Sequence, residues 1–145
     1  MTKIYVCVTG DLFHYGHVSF FKKAREFGDY LLVGVHSDED VAVFKWPPVL
    51  NLCERVAVIE RCNLVNEVVP GAPSETTENF IKDHQIDLVV ATKAYSEEVL
   101  NTFYKDPQKM NILKLVEYEE GISSSSIVER CAQLFNNRKK LQKKM

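Results

Sequence analysis

The chain has 145 residues, 46% of them hydrophobic and 26% charged, with only 6 Gly and 5 Pro; this balance excludes collagen-like, mucin-like and wholly disordered chains. At this length roughly 68–70% of the unfolded surface can be buried, so one core suffices without disulfide or metal staples. A net charge of −2 argues against a dedicated nucleic-acid binder.

Residues 3–9 are β-rich and apolar at consecutive positions, as in a strand buried on both faces. His17 to Phe27 places Val18, Phe20, Phe21, Ala24 and Phe27 at helical spacing, and Gly28 stands where a helix C′ residue belongs. Tyr30 to His36 reads as a buried strand, Leu52 to Arg61 as a helix, and Asn66 to Val69 as a short strand stopped by Pro70-Gly71. A helix at about Thr77–His84, a strand at Ile86–Ala91, a helix near Glu97–Tyr104 and a strand at Ile112–Val116 follow. The last element is a helix from about Ser125 to Arg138, and the segments Ser37–Asn51 and Val69–Glu75 read as loops. Such alternation predicts a Rossmann-like α/β domain, an open parallel sheet of about five strands with helices on both faces. It is expected to span residues 1–137, with a basic tail at 138–145.

Arg138, Lys139, Lys140, Lys143 and Lys144 carry the positive charge of that tail, which leaves the rest of the chain acidic. The tail reads as a solvated helix end or, failing that, as a weak contact with an anionic membrane or partner. Cys7, Cys53, Cys62 and Cys131 form neither a CxxC pair nor a zinc spacing and read as buried reduced thiols. No apolar run approaches the roughly 18 residues of a membrane span. Met1-Thr2-Lys3-Ile4 enters a strand pattern without a signal-peptide core, so a cytoplasmic protein is expected.

In open α/β sheets ligands sit beyond the carboxyl ends of the strands, so the turns after the first, fourth and fifth strands deserve inspection. The first has neither GxGxxG nor a Walker lysine; it reads Thr9-Gly10-Asp11-Leu12-Phe13-His14-Tyr15-Gly16-His17. His17 is expected to start the helix, where free N–H groups and the dipole favour an anion, with His14 on the loop before it. Two imidazole donors converging on a helix N-terminus suit phosphate oxygens and the charge that develops in phosphoryl or nucleotidyl transfer. Gly16 is expected to leave room for a ligand to approach the backbone. No third Cys or His at recognisable spacing supports a zinc site.

Several segments together resemble the cytidylyltransferase branch of the HxGH nucleotidyltransferases, and most closely its ethanolamine-phosphate group. They are Asp11 to Val18, Val33 to Asp38, Lys45 with Pro47 to Arg55, Asn66 to Pro73, Ile86 to Val90, and Gly121-Ile122-Ser123-Ser124. The resemblance implies transfer of CMP from CTP to a phosphorylated small alcohol, with Mg²⁺ and release of pyrophosphate, by a homodimer; from the charge and the apolar pattern no nucleic-acid binding and no stable membrane insertion are expected. It places His14, His17 and Lys45 at the reacting phosphates, with nucleotide contacts from Thr9, Gly10, Asp11, Gly16 and Arg55. Gly121, Ile122 and Ser123 to Ser125 then take the β- and γ-phosphates. Read without the resemblance, Lys45 is an ordinary loop cation, Arg55 pairs with Glu54 or Asp38, and the serines cap a helix. Trp46 is expected in the core, an aromatic wall for an ammonium group being the alternative.

The family pattern breaks in three places. Val8-Thr9-Gly10-Asp11 stands for Gly-x-Phe-Asp, and Tyr118 takes the place of an arginine that would contact the triphosphate. Ala91-Thr92-Lys93 replaces a Gly-acidic pair, and Lys93 is a candidate to supply the missing charge. Phosphocholine, glycerol 3-phosphate and a phosphonate are alternative acceptors, and a catalytically weak CTP-binding module is the competing class.

Overall fold

The structure, a computed structural model, describes residues 1–144; Met145, the end of the expected tail, lies outside the described residues. Five strands, β1 (Lys3–Val8), β2 (Tyr30–Val35), β3 (Glu67–Pro70), β4 (Leu88–Thr92) and β5 (Leu113–Val116), pair in parallel in the order β3-β2-β1-β4-β5. The helices are α1 (Tyr15–Arg25), α2 (Asp38–Phe44), α3 (Leu52–Ile59), α4 (Glu78–Asp83), α5 (Glu97–Phe103), α6 (Lys105–Lys109) and α7 (Ser124–Lys144).

The strands are apolar at consecutive positions because each feeds two cores. On one face Ile4, Val6, Leu31, Val33, Val35 and Val90 pack with Phe21 and Ala24 of α1 and Ile59 of α3. On the other, Tyr5, Cys7, Leu32, Val89 and Ala91 pack with Ile81 of α4 and with Tyr104. Burying an aliphatic or aromatic side chain of this size contributes about 1.5–3 kcal/mol, which outweighs the weak local preferences of the short helices. The expected doubly covered sheet is therefore present, with β1 at its centre and the ends of β1, β2 and β4 side by side.

Several local expectations are corrected. Helix α1 begins at Tyr15, not His17, because His14 supplies the cap. Gly28 has no positive φ; it is required because a β-carbon there would lie 2.6 Å from the Thr2 carbonyl oxygen and 2.8 Å from Ile4 side-chain atoms. The segment Ser37–Asn51 is not wholly irregular: Ser37 caps α2 through a hydrogen bond from Asp40 N (3.1 Å), and Asp38, Glu39 and Asp40 complement the dipole of its first turn. Helix α7 runs without a break through Lys144, beyond the expected end at Arg138. Trp46 lies outside the core, 91% exposed. Cys7 is a buried free thiol as expected, but Cys53 and Cys131 are exposed.

Candidate functional site

The turn leaving β1 is shaped by two left-handed residues, Gly10 (φ +70°) and Leu12 (φ +52°). At Gly10 a β-carbon would also meet Ile59 Cδ1 at 2.5 Å, so glycine is needed on both counts. The turn delivers His14 to the N-cap of α1, where its Nδ1 accepts from Gly16 N (3.1 Å). His17, one turn on, accepts at Nδ1 from the His14 backbone N–H (3.1 Å). A histidine pair thus plays the parts that Ser and Glu play in an ordinary capping box. With both Nδ1 atoms engaged as acceptors, each neutral ring carries its proton on Nε2. The ring centroids lie 4.0 Å apart, and Phe13 stacks on His17 at 5.5 Å. Gly16 makes this possible in a way not expected: a β-carbon there would stand 2.8 Å from His14 Cε1 and 3.2 Å from Ile122 Cγ2, so its space belongs to the His14 ring and to Ile122.

Burial lowers His17 to a pKa of about 4; the neighbouring His14 and Lys45 add to the shift and Asp11 opposes it. His14 is lowered in the same direction by burial. Both rings therefore stay neutral at pH 7, as donors rather than cations. An unfolded His17 protonates near pH 6.5, so between pH 6.5 and 4 the unfolded chain binds more protons than the folded one. The stability this group contributes is complete above pH 6.5 and is lost as pH falls toward 4, on the order of 1–3 kcal/mol. Urea titrations at pH 7 and pH 4.5 check this: the wild type should lose that increment beyond the loss shown by His17→Asn.

The other wall is built by the start of α7. Ser123 and Ser126 cap the helix reciprocally, Ser126 N donating to Ser123 Oγ (3.1 Å) and Ser123 N to Ser126 Oγ (3.0 Å). Ser124 does something else: its Oγ donates to the Asp11 carbonyl (2.7 Å) and lies 3.5 Å from His14 Nε2. Ser125 is exposed, and Gly121 (φ +89°) makes the turn into the helix. Ser124, Ile122, Gly16 and both histidines are therefore brought to one place, while Ser123, Ser125 and Ser126 complete the helix turn beside them.

The remaining candidates divide. The Asp11 carboxylate accepts from Val49 N (2.8 Å) and Leu50 N (2.9 Å), so it pins the loop that carries Lys45. Lys45 itself is exposed, with its backbone closing α2, and its charge acts on His17. Arg55 is fully buried: Nε donates to Leu50 O (3.0 Å), one terminal nitrogen to Thr9 O (2.6 Å) and His36 O (2.8 Å), and the other to Asp38 (2.6 Å). Thr9 thus enters through its carbonyl. Arg55 ties together the exits of β1 and β2 and the loop before α3, and as placed it faces backbone rather than solvent. Glu54 of the same motif caps α3, its Oε1 accepting from Asn51 N (3.1 Å). Lys93, just past β4, is paired with Glu117 at 3.0 Å, and the Tyr118 hydroxyl donates to Ile122 O (3.3 Å).

A second polar group was not anticipated. At the exit of β2, His36 Nδ1 lies 3.2 Å from Ala72 O, and Cys7 Sγ lies 3.1 Å from Tyr104 Oη. Burial alone would raise the Cys7 thiol, yet hydrogen bonding and charge from His36 hold it below its usual value. Tyr5 Oη and Thr76 Oγ1 are buried there without a partner. From sequence His36 reads as the last residue of a buried strand, and the turns singled out are those after the first, fourth and fifth strands, so no expectation falls on it.

A family model described as cytidylyltransferase-like matches residues 9–130. The chain is 34% identical over 133 residues to ethanolamine-phosphate cytidylyltransferase of Dictyostelium discoideum, covering 88% of this chain and 36% of that one. The Arabidopsis thaliana protein of the same name is 38% identical over 133 residues, covering 88% and 32%. Human choline-phosphate cytidylyltransferase A is 35% identical over 131 residues, covering 88% and 36%. This chain therefore spans about a third of the length of these curated relatives. Among solved structures, the lipopolysaccharide core biosynthesis protein from Thermoplasma volcanium superposes with a TM-score of 0.66 at 20% identity, over 84% of this chain and 99% of that one, which shows the shared fold.

Proposed function

The chain belongs to the cytidylyltransferase-like family, and on that premise we propose that it transfers CMP from CTP to a phosphorylated small alcohol, phosphoethanolamine first, with release of pyrophosphate. The observation that carries the reading is the pinning of both imidazoles. Each Nδ1 is held by a backbone N–H, so His14 and His17 offer two fixed Nε2–H donors beside the N-terminus of α7. An acceptor phosphate oxygen attacks the α-phosphorus of CTP, and the bond from that phosphorus to the bridging oxygen of pyrophosphate breaks. No covalent enzyme intermediate is required. Such a reaction asks for positioning and for donors aimed at developing charge, which preorganised neutral imidazoles supply without reorganising.

Lys45 and the Ser123–Ser125 turn belong to the same reading as phosphate contacts, and Gly10 and Gly16 as the glycines that shape the loop around them. Arg55 and Asp11 enter it as residues that position the loops, from their partners described above. Mg²⁺ would come with the triphosphate and would supply neutralisation of its charge. Among the described residues no group of three or more His, Cys, Asp or Glu is placed to hold a metal ion. A cytoplasmic homodimer completes the proposal; no described helix is long and apolar enough to cross a membrane.

A second reading, a weakly catalytic CTP-binding module, is favoured by one observation. The segment entering α7 carries Glu117, Tyr118, Glu119 and Glu120 and no cation. Pyrophosphate release separates the two readings, with CTP or ATP against phosphoethanolamine, phosphocholine and glycerol 3-phosphate and a control without acceptor. The expected result is turnover with CTP and phosphoethanolamine. A rise in melting temperature with CTP but no turnover with any pair would replace the enzyme by the binding module.

A further inference from the structure

The β5–α7 connection leads straight to the serine turn beside His14, yet it carries three carboxylates, Glu117, Glu119 and Glu120. Its carboxylates are not equivalent. Glu119 is tied to α1, accepting from Ser19 Oγ at 2.7 Å and lying 3.6 Å from Lys23 Nζ. Lys23 also donates to the Glu117 carbonyl at 3.0 Å, which fixes the backbone there. The side chain of Glu117 is left for Lys93, at 3.0 Å, and the two side chains are 73% and 55% exposed. Lys93 is in turn held at its backbone, donating to Val116 O at 2.8 Å, so the cation stands on the edge shared by β4 and β5.

The connection carries no cation of its own, so a phosphate chain that extended from the histidines past the serine turn toward β5 would find the ammonium of Lys93 there already paired with Glu117. An exposed ion pair is weak, because both partners remain hydrated and both side chains keep their mobility. A polyphosphate carries more charge than one carboxylate and binds an ammonium more strongly, so it can take Lys93 from Glu117. The carboxylate released then stands beside the newly bound anion and opposes it.

We propose, on the basis of the nucleotide reading above, that Lys93 and Glu117 form a charge-selective element of this site: Glu117 competes with the terminal phosphates for Lys93 and sets how much a triphosphate gains over a monophosphate. The element acts on the distal phosphates only. Glu117→Gln should therefore tighten CTP by about three- to fivefold, the size of one exposed pair, and leave CMP unchanged. Lys93→Ala should weaken CTP by a similar factor and leave CMP unchanged. In the double variant the gain from Glu117→Gln should vanish, because its effect passes through Lys93.

Calorimetric titration of CMP and CTP into the four proteins at fixed ionic strength tests this, with melting curves to verify folding. If the wild type binds CTP and neither single variant changes it, or if CMP and CTP shift together, the selective element is refuted while nucleotide binding stands. If the wild type binds neither nucleotide, the nucleotide reading fails and this inference falls with it.

Discussion

Alanine at His14 or at His17 is expected to lower kcat/KM for CTP-dependent pyrophosphate release by about 10²–10³-fold, the usual cost of removing one preorganised donor from a developing oxyanion. The two substitutions differ in what else they disturb. His14 caps α1, so His14→Ala should also cost about 1 kcal/mol of stability, as the loss of a good N-cap does. Asparagine is itself a strong N-cap and restores an acceptor for Gly16 N, but it carries no Nε2–H at the distance of an imidazole. His14→Asn should therefore recover the melting temperature without recovering turnover. Recovery of both would reduce His14 to a capping residue and remove it from the chemistry.

Arg55→Met is expected to destabilise the fold by about 3–5 kcal/mol, read as a lower urea midpoint at an unchanged m-value. The methionine fills much of the space, so the loss is not one of volume. Three carbonyls, of Thr9, His36 and Leu50, lose their donor inside the protein, and each unsatisfied acceptor costs its desolvation. Asp38 is partly exposed and rehydrates, so it adds little. Arg55→Lys should fall between, because an ammonium lacks the planar fork that reaches several acceptors at once. Loss of CTP binding in either variant without loss of stability would make Arg55 a direct ligand contact instead.

Much of the fold was legible because its strongest signals were long and redundant. Residues 4–8 and 31–35 hold no charged or amide side chain at any position, and only a strand covered on both faces uses such a run. Helix α2 was hidden because Asp38-Glu39-Asp40-Val41-Ala42-Val43-Phe44 has only Val41 buried, so its pattern has no clear stripe; its caps hold it. Trp46 was misplaced by composition alone: a large aromatic is usually buried, but this one follows the end of α2 and precedes two prolines on a surface turn.

The site divides along the same line. The position of His14 and His17 after a buried strand could be read directly. Their reciprocal bonding with the backbone could not, since an H-x-x-H spacing does not say which ring nitrogen meets which amide. Arg55 shows the limit in another form. A motif match names the residue, while its partners come from turns 5, 17, 19 and 46 positions away, which only the folded chain brings together.

The bond from Ser124 Oγ to the Asp11 carbonyl joins residues 113 positions apart. The histidines leave β1 and the serine turn enters α7, so the two walls meet only when the elements between them have folded. Closing a loop of that length costs little more than closing one of half the length, but it cannot precede the sheet that lies between. A chain interrupted before α7 would carry its two imidazoles in half a site, and the ability to gather a polyphosphate would appear late and all at once in refolding, as a report that β1, β4, β5 and α7 have come together.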